Sequence, residues 1–160
     1  MTALRPFTVA FAVAPQLSVA DVPRLARRGI RAIIAVRPDG EDPKAAQTAA
    51  IAAEARRHGM SFAVAPAAMH DITSPEVVER FAVALAASRG PVVAYCKSGT
   101  RAAMLWAQVA ARHLPVANVL ATAQAAGIDL SMLADELAAC ALPAPAPAKS
   151  LRRHADLVPA

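Results

Sequence analysis

Short apolar runs alternate with longer amphipathic stretches along this chain. We predict strands over 7–13, 30–36, 61–66 and 92–95, because each run is apolar and is bounded by Gly, Pro or polar residues. The run 30–36, which reads IRAIIAV, is rich in β-branched residues and is followed by RPDGEDP, whose Pro and Gly predict a loop.

Helix signals separate the predicted strands. Ser18 is a suitable N-cap with Asp21 three positions later, and Gly29 ends that helix. Ser74 and Pro75 supply an N-cap and a first-turn proline for another helix. The predicted helices cover 19–28, 43–58, 75–88 and 100–113, and two further helical pieces end near 139.

The alternation of strands and helices predicts the fold class. It favours an α/β protein with a mostly parallel sheet of four or five strands and helices on both faces. In such sheets the functional loops lie at the carboxyl ends of the strands. The loops after 36 and 95 are therefore the first places to look for chemistry.

The chain has 160 residues, about the length of one domain. We assign a catalytic domain to 1–140 and a tail to 141–160, where alternating Pro and Ala precede a short basic segment. This composition favours an extended, disordered tail. The chain as a whole is 56% apolar residues, which is enough to build a packed core.

Composition and charge also indicate which kinds of partner and which cellular compartment to expect. The formal charge is +5, but the basic residues are dispersed and no aromatics alternate with them, so we predict no nucleic-acid partner. No run reaches the ~18 apolar residues of a membrane span, so we predict no membrane partner. The apolar stretch 7–14 after Arg5 weakly resembles a signal peptide, but a strand is favoured. Two cysteines are too few for a disulfide framework, which favours the cytoplasm.

The stretch PVVAYCKSGTRAAMLW, 91–106, carries the most specific chemistry. A strand, a small-residue loop and a helix start together form an anion site from backbone N–H groups and the helix dipole. Cys96 lies at its rim, with Lys97 and Arg101 near in sequence, and this field should favour the reactive thiolate. Gly99 permits a backbone conformation closed to other residues, and Arg101 offers a planar fork for oxyanions. The alternative is that Cys96 is merely a small buried apolar residue at a strand end.

Three separated segments resemble one family. VAPQLSVADVPRLARRGIRAIIAVRPDGE, PVVAYCKSGTRAAMLW and AQAAGIDLSML look like the beta-lactamase-hydrolase-like (DUF442) family, described both as phosphatase-like and as a sulfur transferase. The similarity extends over 4–139. It implies a compact protein-tyrosine-phosphatase fold with Cys96 as nucleophile and Arg101 as anion clamp. Lys97, Ser98, Gly99 and Thr100 would then bind the anion.

The length of this loop separates two chemistries. Tyrosine phosphatases place five residues between Cys and Arg, whereas here Lys97 to Thr100 make four, and Tyr95 holds the place of their usual histidine. Rhodanese-like sulfurtransferases use a six-residue loop, which is the length from Cys96 to Arg101. A tighter ring of N–H groups suits one extra sulfur atom better than three phosphoryl oxygens. The count favours a persulfide on Cys96 over a phosphocysteine.

A phosphatase also needs a general acid, and Asp71 is the first candidate because it lies in the loop before the helix that precedes the Cys96 strand. Asp39 and Glu41 come second. The alternative for Asp71 is a loop residue that favourably faces a helix N-terminus. Sulfur transfer needs no such acid, which again places it first.

The remaining residues are less specific. No histidines have metal-ligand spacing, so we predict no metal and no cofactor. Trp106 is expected in the core, Arg37 in the anion site or in a salt bridge with Asp39 or Glu41, and Cys140 as an inert thiol rather than a resolving one. The expected partner is a small sulfur-containing or phosphorylated substrate. Three hypotheses remain: a sulfurtransferase, a phosphatase, and a non-catalytic module that binds an anion or a protein partner.

Overall fold

In the computed structural model, which describes residues 2–141, five strands form a single sheet. Their order across the sheet is β1-β2-β5-β3-β4, and only β1 runs antiparallel to its neighbour. The predicted α/β class with a mostly parallel sheet is thus confirmed. The strands are β1 (Arg5–Thr8), β2 (Phe11–Ala14), β3 (Ala32–Ala35), β4 (Ser61–Val64) and β5 (Val92–Tyr95).

The first predicted strand, 7–13, is wrong in one respect, because the chain reverses inside it. Val9 and Ala10 form a hairpin turn, and the Ala10 N–H donates to Thr8 Oγ1 at 3.2 Å. Val9 is fully exposed at the tip. The apolar run continues through the turn without Gly or Pro, so its pattern gives no sign of the reversal.

Residues 2–141 contain six α-helices, of which three connect strands and three follow the last strand. The helix predicted over 43–58 begins only at Thr48, because the Asp39 carboxylate accepts hydrogen bonds from Thr48 N–H at 3.0 Å and from Oγ1 at 2.6 Å. Residues 43–45 form a turn and a bend instead, and 46–47 have no regular structure. The helices are α1 (Val22–Arg27), α2 (Thr48–Arg57), α3 (Pro75–Ala87), α4 (Thr100–Ala110), α5 (Val116–Ala125) and α6 (Ala134–Cys140), with 3₁₀ turns at Val19–Asp21, Met69–Asp71 and Ser131–Leu133.

Helices cover both faces of the sheet, as predicted. Helices α3 to α6 pack on one face, where Ile34 points, and α1 and α2 pack on the other, where Ile33 points. Because β3 is buried on both faces, successive residues of the strand enter different cores. Trp106 is buried in the larger core with its ring 4.8 Å from that of Phe7.

The topology brings three chain segments to one end of the sheet. Strands β2, β5 and β3 are parallel neighbours, so Gln16, Cys96 and Arg37 all follow carboxyl ends at the same edge. Within residues 2–141 there is no helix whose length and hydropathy would let it cross a bilayer.

Candidate functional site

The loop after β5 is fixed to the end of β2. The Cys96 N–H donates to the Ala14 carbonyl at 3.3 Å, and the Gln16 N–H donates to the Lys97 carbonyl at 3.2 Å. These bonds continue the parallel pairing of β2 and β5 beyond the strands. They hold Cys96 at the carboxyl end of the parallel strands, where only 1% of the residue is exposed.

The thiol of Cys96 accepts a hydrogen bond from the loop that follows it. The Gly99 N–H lies 3.1 Å from Cys96 Sγ. Gly99 has φ +94°, a conformation that residues with a Cβ rarely adopt, and it is the residue from which α4 starts. The loop therefore curls back over the sulfur atom, and this N–H stabilises negative charge on it.

The two hydroxyl residues of the loop bond to each other. Ser98 Oγ and Thr100 Oγ1 are 3.0 Å apart, and the Thr100 N–H faces Ser98 Oγ at 3.4 Å. Lys97 is exposed. Of the four residues that the sequence assigned to anion binding, Lys97, Ser98 and Thr100 line one cleft, whereas Gly99, like Cys96, is buried and does not line it.

Arg101 occupies the first turn of α4 and is 7% exposed. Its Nη1 donates to Glu41 Oε1 and its Nη2 to Glu41 Oε2, both at 2.7 Å. Nη1 also donates to the Ala67 carbonyl at 2.7 Å. The Glu41 hydrogen bonds raise the pKa of Arg101 against the opposing effect of burial, and the charge of nearby Cys96 raises it further.

Glu41 joins two arginines. Arg37 Nε donates to Glu41 Oε2 at 2.7 Å, and Arg37 Nη1 donates to Gln16 Oε1 at 3.0 Å. The hydrogen bonds from Arg101, and then those from Arg37, lower the pKa of Glu41 to about 2 although partial burial opposes this. Glu41 is therefore ionised at neutral pH and cannot serve as a proton donor while these bonds persist.

The expected salt bridge of Arg37 is found with Glu41, whereas the alternative with Asp39 is not. Arg37 Nη2 lies 3.6 Å from Asp42, and Asp39 is occupied with the start of α2. The sequence named Glu41 as a second-choice acid and as a possible partner of Arg37, but not as a partner of Arg101. Its position after β3, the strand beside β5, was the available sign that it would face the Cys96 loop.

These groups surround a cleft of about 320 Å³. It carries three cationic side chains and one carboxylate, so an anionic ligand is favoured. Met69 adds the apolar wall and is 55% exposed. The cleft is lined by Arg37, Glu41, Met69, Lys97, Ser98, Thr100 and Arg101.

Asp71, the first candidate for a general acid, does not line this cleft. It ends the 3₁₀ turn Met69–Asp71, and its backbone carbonyl accepts from the Ser74 N–H at 2.9 Å. Among the described residues its buried Oδ1 has no hydrogen-bond partner. A catalytic role for Asp71 stays a prediction.

Tyr95 and Cys140 do not line the cleft. Burial, and then the charge of Asp39, raises the pKa of Tyr95, so its hydroxyl stays protonated. Cys140 is a free, half-buried thiol at the end of α6. In the part of the chain that the structure describes, no three His, Cys, Asp or Glu side chains are grouped to hold a metal ion.

The mostly parallel sheet, with the Cys96 loop at the carboxyl end of its central strand, gives this domain a protein-tyrosine-phosphatase-like fold. The kinase associated phosphatase, 14% identical, shares this fold with a TM-score of 0.59, covering 86% of this chain and 92% of its own. The chain belongs to the family described as beta-lactamase hydrolase-like protein, phosphatase-like domain, whose model matches residues 3–113.

Two relatives support this assignment. A candidate phosphatase from Neisseria meningitidis is 33% identical, with a TM-score of 0.73 over 84% of this chain and 96% of its own. A beta-lactamase hydrolase-like protein of Xylella fastidiosa is 38% identical over 121 residues, which are 74% of this chain but 28% of that protein. The chain thus spans less than a third of that curated relative. The family predicted from the sequence is confirmed, and its phosphatase-like class with it.

Proposed function

We propose that this domain is a sulfurtransferase that carries a persulfide on Cys96. The Cys96 thiolate attacks the sulfane sulfur of a donor such as thiosulfate, so that a new S–S bond forms and sulfite leaves with the electron pair of the old one. A thiolate or cyanide then attacks the outer sulfur of the persulfide. The S–S bond breaks, the acceptor becomes a persulfide or thiocyanate, and the Cys96 thiolate is regenerated.

One observation carries this choice: among residues 2–141, Glu41 is the one carboxylate that lines the cleft. It is ionised, because Arg101 and Arg37 lower its pKa to about 2. Hydrolysis of an alkyl phosphate needs an acid to protonate the departing oxygen. Sulfite leaves as a stable anion and needs no such proton, so the charged groups of this cleft suit sulfur transfer.

The immediate surroundings of Cys96 Sγ support the same reading. The Gly99 N–H is 3.1 Å from the sulfur, and the loop to Arg101 is one residue shorter than in tyrosine phosphatases. A terminal persulfide sulfur carries one negative charge on one atom, which a short ring of N–H groups can stabilise. Lys97 and Arg101 add the positive charge that an anionic donor requires.

The second candidate function is phosphomonoester hydrolysis. It is favoured by the family description and by the candidate phosphatase of Neisseria meningitidis, 33% identical to this chain. Cys96 would attack phosphorus and Arg101 would hold the oxygens. Asp71 would have to turn into the cleft, which it does not line. A module that binds an anion or a protein partner without turnover is the third candidate.

Turnover assays separate these candidates. We expect the protein to form thiocyanate from thiosulfate and cyanide, the Cys96→Ser variant to form none, and the matched Cys140→Ser variant to retain activity. Phosphate release from p-nitrophenyl phosphate that is lost in Cys96→Ser, without thiocyanate formation, would establish the phosphatase instead. If the native chain catalyses neither reaction, the non-catalytic binding module is the candidate that stands.

A further inference from the structure

We propose that Glu41 is a positioning residue, which holds the guanidinium of Arg101 so that one edge of it faces the anion bound at Cys96. This inference rests on the proposed function, because it takes the bound anion to be the sulfur donor of the proposed sulfurtransferase. Glu41 does not touch the reacting atoms; it acts through Arg101. The argument follows from how the five N–H groups of Arg101 are distributed.

The far end of the guanidinium is fully occupied. Nη1 and Nη2 each donate to one oxygen of Glu41, and the second N–H of Nη1 donates to the Ala67 carbonyl, all at 2.7 Å. The Nε–H and the outer N–H of Nη2 have no oxygen or nitrogen partner among residues 2–141. These two N–H groups form the side edge, which suits a bidentate anion contact. The sulfur lies beside this first turn of α4, because the N–H of Gly99, the N-cap two residues before Arg101, is 3.1 Å from Cys96 Sγ.

Glu41 is itself fixed from behind. Arg37 Nε donates to Glu41 Oε2 at 2.7 Å, and Arg37 is anchored by the side-chain oxygen of Gln16 at 3.0 Å. Arg37 is 7% exposed, so its guanidinium has little freedom. The series Gln16, Arg37, Glu41 thereby links the ends of β2 and β3 to the arginine of α4.

A simpler reading gives the opposite prediction. If the Glu41 carboxylate merely competed with ligand anions for Arg101, its neutralisation would strengthen anion binding. If Glu41 orients Arg101, the same change weakens anion binding, although it removes a negative charge from the cleft. The sign of the effect therefore decides between a competing carboxylate and a positioning residue.

The test compares Glu41→Gln, Glu41→Asp and, as a matched control, Glu79→Gln, which neutralises a carboxylate paired with Arg112 at 3.0 Å on another surface. Binding of thiosulfate and, separately, of inorganic phosphate is measured by titration calorimetry in a Cys96→Ser background, where no sulfur is transferred. We expect Glu41→Gln to lower the affinity about tenfold or more, since small misplacements of a clamping group are costly. Glu41→Asp should recover part of the loss, and Glu79→Gln should match its background.

The parallel kinetic readout uses chains with Cys96 intact. We expect kcat/KM for thiosulfate to fall in Glu41→Gln by a factor similar to the loss of affinity. Equal or stronger anion binding by Glu41→Gln would overturn the proposal. It would also be overturned if the Cys96→Ser background protein, which keeps Glu41, bound neither thiosulfate nor phosphate. Absence of thiocyanate formation in the native chain would instead refute the sulfurtransferase, while the phosphate titration would still test Glu41.

Discussion

Gly99 combines two roles at the residue scale: it has the conformation that starts α4, and its N–H contacts the nucleophile. Its φ is +94°, and an added Cβ would lie 3.5 Å from the backbone of Ala14, an ordinary contact distance. Space is therefore available, and the obstacle to substitution is backbone strain. Any relief of that strain would move the N–H that lies 3.1 Å from Cys96 Sγ.

We expect Gly99→Ala to lose about 1–2 kcal/mol of unfolding free energy in urea titrations and also to slow alkylation of Cys96 by iodoacetamide at neutral pH. The matched control is Gly59→Ala, because Gly59 has φ +67° with nothing within 4 Å of its added Cβ. It should lose similar stability without any change in thiol reactivity. Equal alkylation rates in all three proteins would contradict the role of the Gly99 N–H.

Glu41 gives a prediction about pH. Its pKa in the folded protein is about 2, below the ordinary value of 4.5, because Arg101 and then Arg37 donate hydrogen bonds to it. The stabilisation is therefore complete above pH 4.5 and is lost as the pH falls to about 2. The difference in Tm between the native chain and Glu41→Gln should shrink over this interval. A difference that stays constant from pH 7 to pH 2 would show that the carboxylate is not held as described.

At the scale of elements, α4 connects the nucleophile loop to the segment that carries Met69 and Asp71. Gln108, 2% exposed, donates from Nε2 to the Ile72 carbonyl at 3.0 Å and to the Met104 carbonyl at 3.1 Å. The first of these bonds fixes the chain just after the 3₁₀ turn Met69–Asp71. A buried amide group that is left without a hydrogen-bond partner costs free energy. The hydrogen bond between Gln108 and the Ile72 carbonyl therefore holds this segment in one position.

We expect Gln108→Met to lose about 1–3 kcal/mol of unfolding free energy, because the Ile72 carbonyl loses its buried donor. The control variant is Gln124→Met, because Gln124 lies on the exposed face of α5. This change should alter the unfolding free energy by less than about 0.5 kcal/mol. Chemical denaturation of the three proteins measures both effects. Equal midpoints for the native chain and Gln108→Met would refute the structural role of this amide.

Local patterns predicted the elements that end on strong signals. Strand Val92–Tyr95 is found as predicted, since Gly90 and Pro91 precede an apolar run that ends at Cys96. Helix Pro75–Ala87 agrees within a residue, because Ser74 and Pro75 mark its start. The hairpin at Val9 was missed because its turn contains neither Gly nor Pro.

The sequence predicted only those features of the candidate site that involve residues close together in the chain. Cys96, Gly99 and Arg101 lie close together in sequence, so the loop could be read from residue types and spacing. The pairing of Glu41 with Arg101 spans 60 residues and depends on which strands are neighbours in the sheet. Sequence periodicity predicts strands but does not give their order, so the role of Glu41 emerged only from the fold.

For the whole molecule, the predicted boundary near 140 has a direct test. Helix α6 ends at Cys140 and packs through Leu137 into the larger core, which is built from residues before it. The predicted tail, apart from residue 141, lies outside the described residues. We expect a chain that ends at Ala141 to match the full chain within about 0.5 kcal/mol of unfolding free energy and to retain the same sulfur-transfer rate. A less stable or less active truncation would show that 142–160 belong to the functional domain.

The persulfide on Cys96 is the central claim, and intact-mass spectrometry tests it most directly. The protein is incubated with thiosulfate, freed of excess donor, and weighed before and after cyanide is added. The account predicts a mass gain of one sulfur atom, absent in Cys96→Ser, present in Cys140→Ser, and removed by cyanide. An unchanged mass with thiosulfate and with polysulfide, or a sulfur atom that persists in Cys96→Ser, would contradict it.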